Sequence, residues 1–75
     1  MLLVLAQPAR VQAEVLDVLG RTVAVLAENA AYGAGSHVLM WDGRDRRGAA
    51  APAGVYFIRA RAGGEARVRK AVLAR

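Results

Sequence analysis

The 75-residue chain contains no cysteine, a single histidine and only two prolines. Without cysteine, neither a disulfide nor a thiolate metal site can help to hold the fold. A single histidine also argues against a histidine-based zinc or copper site. No apolar run approaches the ~20 residues needed to span a bilayer. We therefore expect no membrane span. Residues 1–6 are also too short for the apolar part of a signal peptide and lack a basic start.

The basic residues are in excess, giving a net charge of +5, which makes nucleic acid a partner to consider. They are spread from Arg10 to Arg75, however, and no aromatic residues lie among those near the end of the chain. We therefore favour a solvated basic surface over nucleic-acid binding. A core this small supplies roughly 3–5 kcal/mol, so contact with a host domain or with copies of the chain is expected.

Residues 10–18 alternate in polarity, which is typical of a strand with one buried face. Val11 and Val15 point to the predicted core, and Leu16 points to the opposite face. Asp17, Gly20 and Arg21 form a predicted turn in which Asp17 accepts hydrogen bonds from backbone amides. Residues 21–26 then read as the return strand of a hairpin.

Further strands are predicted over residues 2–6, 37–42, 55–61 and 66–73, with a loop over 28–36 and a flexible connection over 48–54 that ends at Gly54. Gly63 and Gly64 predict a two-residue hairpin turn. Six strands at this spacing predict a small β-sandwich. Two helices, over 22–31 and 65–75, would give an α+β alternative, but the valines and threonine of 22–25 favour the all-β fold.

The stretch "WDGRDRRG" (41–48) allows two interpretations of its acidic and glycine residues. Asp42 and Asp45 could contribute oxygens to a calcium site around Gly43 and Gly48. Calcium needs six to eight oxygens, however, and three arginines of the same loop add positive charge. We therefore favour a structural turn, in which the aspartates accept amide hydrogen bonds and the glycines adopt positive φ.

Trp41 is the only tryptophan and could serve as a stacking platform for a ligand or as a core residue. The alternation of its strand favours the core, and His37 on the same face is interpreted as a partly buried structural histidine. No serine, histidine or glycine pattern of a catalytic or phosphate-binding site is present, so we predict neither enzymatic activity nor a cofactor. The predicted core comprises Val11, Val15, Leu39, Trp41, Val55 and Phe57.

Four blocks carry a resemblance to a known family: "VLDVLGRTVAVL", "GAGSHVLMWDGRDRRG", "PAGVYFIRARAGG" and "RKAVLAR". In this order and spacing they resemble the type IX secretion sorting domain (type A) and the related Ig-like domain of flagellar hook-capping proteins. The resemblance covers nearly the whole chain. It implies a single Ig-like β-sandwich of six to about seven short antiparallel strands over residues 1–75.

The chain departs from the family pattern in ways that suggest contacts. The family usually has a further strand before the position of Leu2, so the chain is an excerpt of a longer protein, a stand-alone relative, or a sandwich that lacks the family's first strand. Leu16, Val38 and Met40 are apolar where family members commonly have other residues, and we predict that they form an interface. By resemblance alone, Lys70 and Arg75 would be read by the export machinery, and the protein would be secreted or attached to the cell surface.

Three functions remain open on the sequence. The first is a non-catalytic sorting and surface-attachment module whose partner is the secretion machinery. The second is a structural subunit that self-assembles when a neighbour's strand completes its open edge. The third is a module that binds carbohydrate or nucleic acid.

Overall fold

The computed structural model describes residues 1–74, which form six β-strands in two sheets. Within this range there is no helix, and hence no helical segment able to cross a membrane. The predicted all-β, Ig-like sandwich is confirmed, and the α+β alternative is wrong. The strands are β1 (Leu2–Leu5), β2 (Ala9–Leu16), β3 (Thr22–Tyr32), β4 (Gly35–Val38), β5 (Gly54–Ala62) and β6 (Glu65–Leu73).

The larger sheet has the strand order β3-β2-β5-β6, with every neighbouring pair antiparallel. On β2, Val11, Ala13 and Val15 are fully buried, because alternate side chains of a strand point to the same face. β5 and β6 are joined through Gly63 and Gly64, whose φ values of 57° and 80° are those of a type I′ hairpin turn.

The smaller sheet consists of β1 and β4, which pair antiparallel with Leu2 opposite Val38. The pairing continues to Met1 and Leu39, which exchange two backbone hydrogen bonds of 2.7 and 2.8 Å. Leu3 points inward and is buried with Val11 of β2. Two strands therefore lie over a sheet of four, and part of the larger sheet's inner face is left uncovered.

The core contains two clusters of small and branched side chains. Of the predicted core residues, Val11, Val15 and Leu39 are buried, and Trp41 is half-buried against the second cluster. The first cluster comprises Leu3, Val11, Ala13, Ala27, Leu39 and Ala60. The second comprises Val15, Ala24, Ala51, Tyr56 and Ile58.

The assignment of Val55 and Phe57 to the core needs correction. Val55 is exposed and Phe57 half-buried, whereas Tyr56 and Ile58 are buried. All four consecutive residues are apolar, so polarity could not decide which alternate pair faces inward. Because a shift of one residue exchanges the two faces of a strand, the prediction selected the wrong pair.

Two predicted boundaries also differ from the structure. The predicted loop over 28–36 is largely strand, because β3 continues to Tyr32 past register shifts in its pairing with β2. Asn29 there has a φ of 48°, a left-handed conformation that asparagine tolerates. The predicted strand over 37–42 is shorter and begins earlier, as β4 (Gly35–Val38).

Candidate functional site

The turn between β2 and β3 is built around the carboxylate of Asp17. Its Oδ1 accepts hydrogen bonds from the amides of Leu19 (3.0 Å) and Arg21 (2.9 Å), and its Oδ2 accepts one from Arg21 Nε (2.7 Å). Gly20 closes the turn with a φ of 80°. The hydrogen bond from the Arg21 amide is the main cause that lowers the pKa of Asp17 below its usual 3.8. The Arg21 side chain and the Leu19 amide add to this effect, against a partial desolvation that raises the pKa.

A second turn, over residues 45–49, repeats this geometry at the same offsets. Asp45 Oδ1 accepts hydrogen bonds from the amides of Arg47 (2.9 Å) and Ala49 (3.0 Å). Asp45 N donates to Ala49 O, as Asp17 N donates to Arg21 O. Gly48 has a φ of 83°. The chain therefore uses the same Asp-x-x-Gly turn twice, with the aspartate accepting two amides and the glycine supplying the left-handed residue.

The two turns face each other across an open groove of about 700 Å³. The amide of Arg46 in the second turn donates to Val23 O at the start of β3 (3.0 Å), which fixes the loop against the larger sheet. Carboxylates, guanidinium groups and Tyr56 line the groove. The Tyr56 hydroxyl donates a hydrogen bond to Pro52 O (2.5 Å). The polar groups of the groove therefore hold the loop in position through hydrogen bonds.

Trp41 and Asp42 brace the beginning of the same loop. The Trp41 ring packs edge-on against Tyr56 at 4.8 Å between centroids, and its Nε1 donates to Arg44 O (2.8 Å). Asp42 Oδ1 accepts the Arg44 amide (3.0 Å), and Gly43 has a φ of 79°. The indole nitrogen is thus already hydrogen-bonded within the protein and the indole ring contacts Tyr56, an arrangement suited to holding the loop.

The aspartates considered for calcium each use one oxygen for backbone amides of their own loop. Among residues 1–74 there is no group of three or more histidine, cysteine, aspartate or glutamate side chains close enough to hold a metal ion. Asp42 and Asp45 accept amide hydrogen bonds from Arg44, Arg47 and Ala49.

Among the described residues, Glu14 is the one charged side chain that is buried, and the sequence did not single it out. Glu14 Oε1 accepts hydrogen bonds from Arg59 Nη2 (2.7 Å), Arg59 Nε (3.1 Å) and Arg61 Nη2 (3.2 Å), while Gln12 Nε2 donates to Oε2 (3.3 Å). Burial raises the pKa of Glu14, but these hydrogen bonds and the two arginine charges outweigh it and lower the pKa below 4.5. Only the pairing of β2 with β5 brings these residues together, and no sequence spacing indicates it.

Four large apolar side chains are exposed on β1, on β4 and just past the end of β4, and we call them the apolar strip. They are Leu2 (62% exposed), Val4 (65%), Val38 (67%) and Met40 (81%). Leu2 lies directly opposite Val38, and Val4 is two residues from Leu2, so alternation places these three side chains on the same side of the smaller sheet. Met40 lies two residues past Val38, beyond the end of β4.

Leu16, the third predicted interface residue, does not lie with Val38 and Met40. It is half-buried and pairs with Phe57 on the larger sheet, on the face opposite to buried Val15. The predicted interface is therefore divided between the outer faces of two different sheets. The sequence could not show this, because the assignment of β2 and β4 to separate sheets depends on tertiary pairing.

The remaining predicted residues occupy separate positions. His37 is half-buried; its Nε2 forms a hydrogen bond with Gly33 O (2.7 Å), and its ring lies 4.8 Å from that of Tyr32. Lys70 is exposed on β6 opposite Phe57. Arg75, predicted with Lys70 as an export contact, lies outside the described residues.

A family model described as the FlgD Ig-like domain matches residues 2–65. The chain belongs to the FlgD Ig-like domain family. This agrees with the resemblance to hook-capping proteins, whereas no match supports the type IX sorting domain. No curated protein and no solved structure matches the chain. Members of the FlgD Ig-like family are non-catalytic structural domains, which is consistent with a site made of braced turns and an exposed apolar surface.

Proposed function

We propose that this FlgD Ig-like domain is a structural subunit that associates with copies of itself through the apolar strip. The observation that carries the proposal is the exposure of three large apolar side chains on one face of a two-stranded sheet, with a fourth, Met40, just past the end of β4. A sheet that is apolar on both faces is typical of one that is covered on both. Exposed patches of this kind mark interaction surfaces on small proteins.

The size of the strip suggests a weak, reversible contact. Full burial of a Leu, Val or Met side chain contributes about 1.5–3 kcal/mol. With each side chain roughly two-thirds exposed, four of them supply about 4–8 kcal/mol per copy, or about 8–16 kcal/mol in a two-fold contact. Association costs about 4–15 kcal/mol. We therefore expect self-association that depends on protein concentration.

The test is sedimentation velocity over a range of concentrations on the wild type and on the double variant Val38→Thr/Met40→Thr. Threonine retains strand propensity and removes much of the apolar surface, so the variant should fold normally and sediment as a smaller species. Val18→Thr/Leu19→Thr is the matched control, because these side chains are 69% and 73% exposed but lie in the β2–β3 turn. A wild type that stays monomeric throughout, or equal effects of both double variants, would remove the proposal.

Export sorting with attachment to the cell surface is the second candidate, supported by the exposed position of Lys70 and by the resemblance of the motifs. It predicts that a reporter with this chain at its C-terminus reaches the surface of a bacterium that carries a type IX machinery. Retention of the reporter, together with self-association of the isolated chain, favours the structural subunit.

A further inference from the structure

We propose that the free edge of β1 is a binding site for an extended segment of another protein, which pairs with β1 and presents acidic side chains to Arg67 and Arg69. This goes beyond self-association through the apolar strip. It uses the backbone of β1 and the inner face of β6, whereas the strip uses side chains on the outer face of the smaller sheet.

The hydrogen-bonding pattern of the smaller sheet shows which groups reach the free edge. Met1 and Leu39 exchange both of their backbone hydrogen bonds. In an antiparallel ladder, such pairs alternate with pairs whose N–H and C=O groups point away from each other. The register places Leu2 opposite Val38 and Val4 opposite Ser36, so Leu2 and Val4 direct their N–H and C=O groups away from β4. Among residues 1–74, no strand pairs with that edge.

Beside this edge lies the uncovered inner face of β6. Arg69 pairs with Ile58 and Arg67 with Ala60, and both partners are buried on the core side of β5. Because directly opposite residues of an antiparallel pair share a face, both arginines point to the interior side of the sandwich. They are nevertheless exposed, since the two-stranded sheet does not extend over β6. A single groove, the edge groove, is lined by Leu2–Leu5, Ala60, Ala62, Glu65, Arg67 and Arg69.

The charged side chains of the edge groove indicate which kind of segment would bind there. Arg67 forms an exposed 3.5 Å ion pair with Glu65. Arg69 donates a hydrogen bond to the neighbouring Val68 carbonyl (3.4 Å), and no carboxylate of the described residues lies within ion-pair distance of it. The groove thus carries two guanidinium groups against one carboxylate. A strand paired with β1 would direct alternate side chains into the groove, so acidic residues at those positions would complement Arg67 and Arg69.

The probe is a fluorescent hexapeptide in which valine and glutamate alternate, compared with one in which valine and lysine alternate. Binding is measured by fluorescence anisotropy on the full chain. We expect the glutamate peptide to bind at least tenfold more tightly than the lysine peptide. The charge-reversal variant Arg67→Glu/Arg69→Glu should reverse that preference. Binding should also slow hydrogen exchange of the Leu2 and Val4 amides.

Val4→Pro tests the strand pairing, because it removes an N–H directed at the free edge, where proline is tolerated. It should keep the β-sheet circular dichroism and lose peptide binding. Val38→Pro is the matched control, since its N–H points to the other edge of the smaller sheet, and it should keep binding. If Val4→Pro fails to fold, the strand pairing is tested with the wild type and a modified glutamate peptide. In this peptide the alternate amides that would face β1 are N-methylated, and it should not bind.

Three results would overturn the proposal. The glutamate peptide could show no binding at millimolar concentration. It could bind Val4→Pro as tightly as the wild type, which would mean contact through charge alone. Lastly, a single-stranded oligonucleotide could compete for the edge groove more tightly than the peptide, which would assign it to nucleic acid. Loss of self-association in Val38→Thr/Met40→Thr with unchanged peptide binding would separate the two proposals.

Discussion

Replacing Glu14 by glutamine should destabilise the protein by about 1–2 kcal/mol. The substitution keeps the shape of the side chain and removes its charge from beneath Arg59 and Arg61. A hydrogen bond to a charged group contributes roughly 1.5–3 kcal/mol, and Glu14 accepts three from these arginines. The Glu14 side chain is 8% exposed, but those of Arg59 and Arg61 are 36% and 52% exposed, so solvent screening reduces the sum considerably.

For a domain of this size, such a loss lowers the melting temperature by roughly 5–15 °C. Glu28→Gln is the matched control, because Glu28 is an exposed β3 residue for which residues 1–74 supply no ion pair; its melting temperature should stay within about 2 °C of the wild type. Thermal unfolding followed by circular dichroism measures both. Equal melting temperatures for the wild type and Glu14→Gln would refute this reasoning, since the desolvation of Glu14 would then offset its hydrogen bonds.

The same contact predicts a pH dependence, and the two Asp-x-x-Gly turns predict the effects of loop substitutions. Because the folded-state pKa of Glu14 is lowered from 4.5, its stabilisation is present above pH 4.5 and is lost as the pH falls through the folded-state pKa; Glu14→Gln should flatten this acid limb in a pH series of thermal melts. Asp45→Ala removes the acceptor for two loop amides and should lower the free energy of unfolding by about 0.5–2 kcal/mol, by analogy with a capping residue. Asp42→Ala loses one amide hydrogen bond and should lower it less. Urea unfolding measures both variants. Gly48→Ala has space for the added methyl group but places alanine at positive φ, which should lower the free energy of unfolding by about 1–2 kcal/mol. Gly33→Ala is the control, because Gly33 also lies in open space but has no positive φ, and its stability should not change. Equal losses of stability in the two variants would contradict the backbone strain assigned to position 48.

The local chemistry of the chain was sufficient to predict six strands and the turns that join several of them, but not the ends of β3 and β4. Alternation identified the buried face of β2, and Asp17 with Gly20 indicated the first turn. The aspartates and glycines of residues 42–48 likewise indicated a structural turn, and the Asp-x-x-Gly spacing of 45–48 is the same as that of 17–20. These features depend on neighbours in the sequence, and such signals can be read without a structure.

Features that depend on distant pairing could not be predicted. The consecutive apolar residues 55–58 carry no alternation, so the inward-facing pair on β5 was chosen wrongly. The Glu14 contact joins residues 45 and 47 positions apart, which only the pairing of β2 with β5 brings together. Likewise, the separation of Leu16 from Val38 depends on which strands form which sheet.

Hydrogen–deuterium exchange at low and high protein concentration, read by mass spectrometry, tests most directly whether the smaller sheet is the contact surface. We expect protection of residues 2–5 and 35–40 to increase with concentration, while the turn over 17–21 stays unchanged. Increased protection confined to β6 or to the turn over 45–49, or no change at any concentration, would contradict the assignment of the apolar strip as the site of self-association.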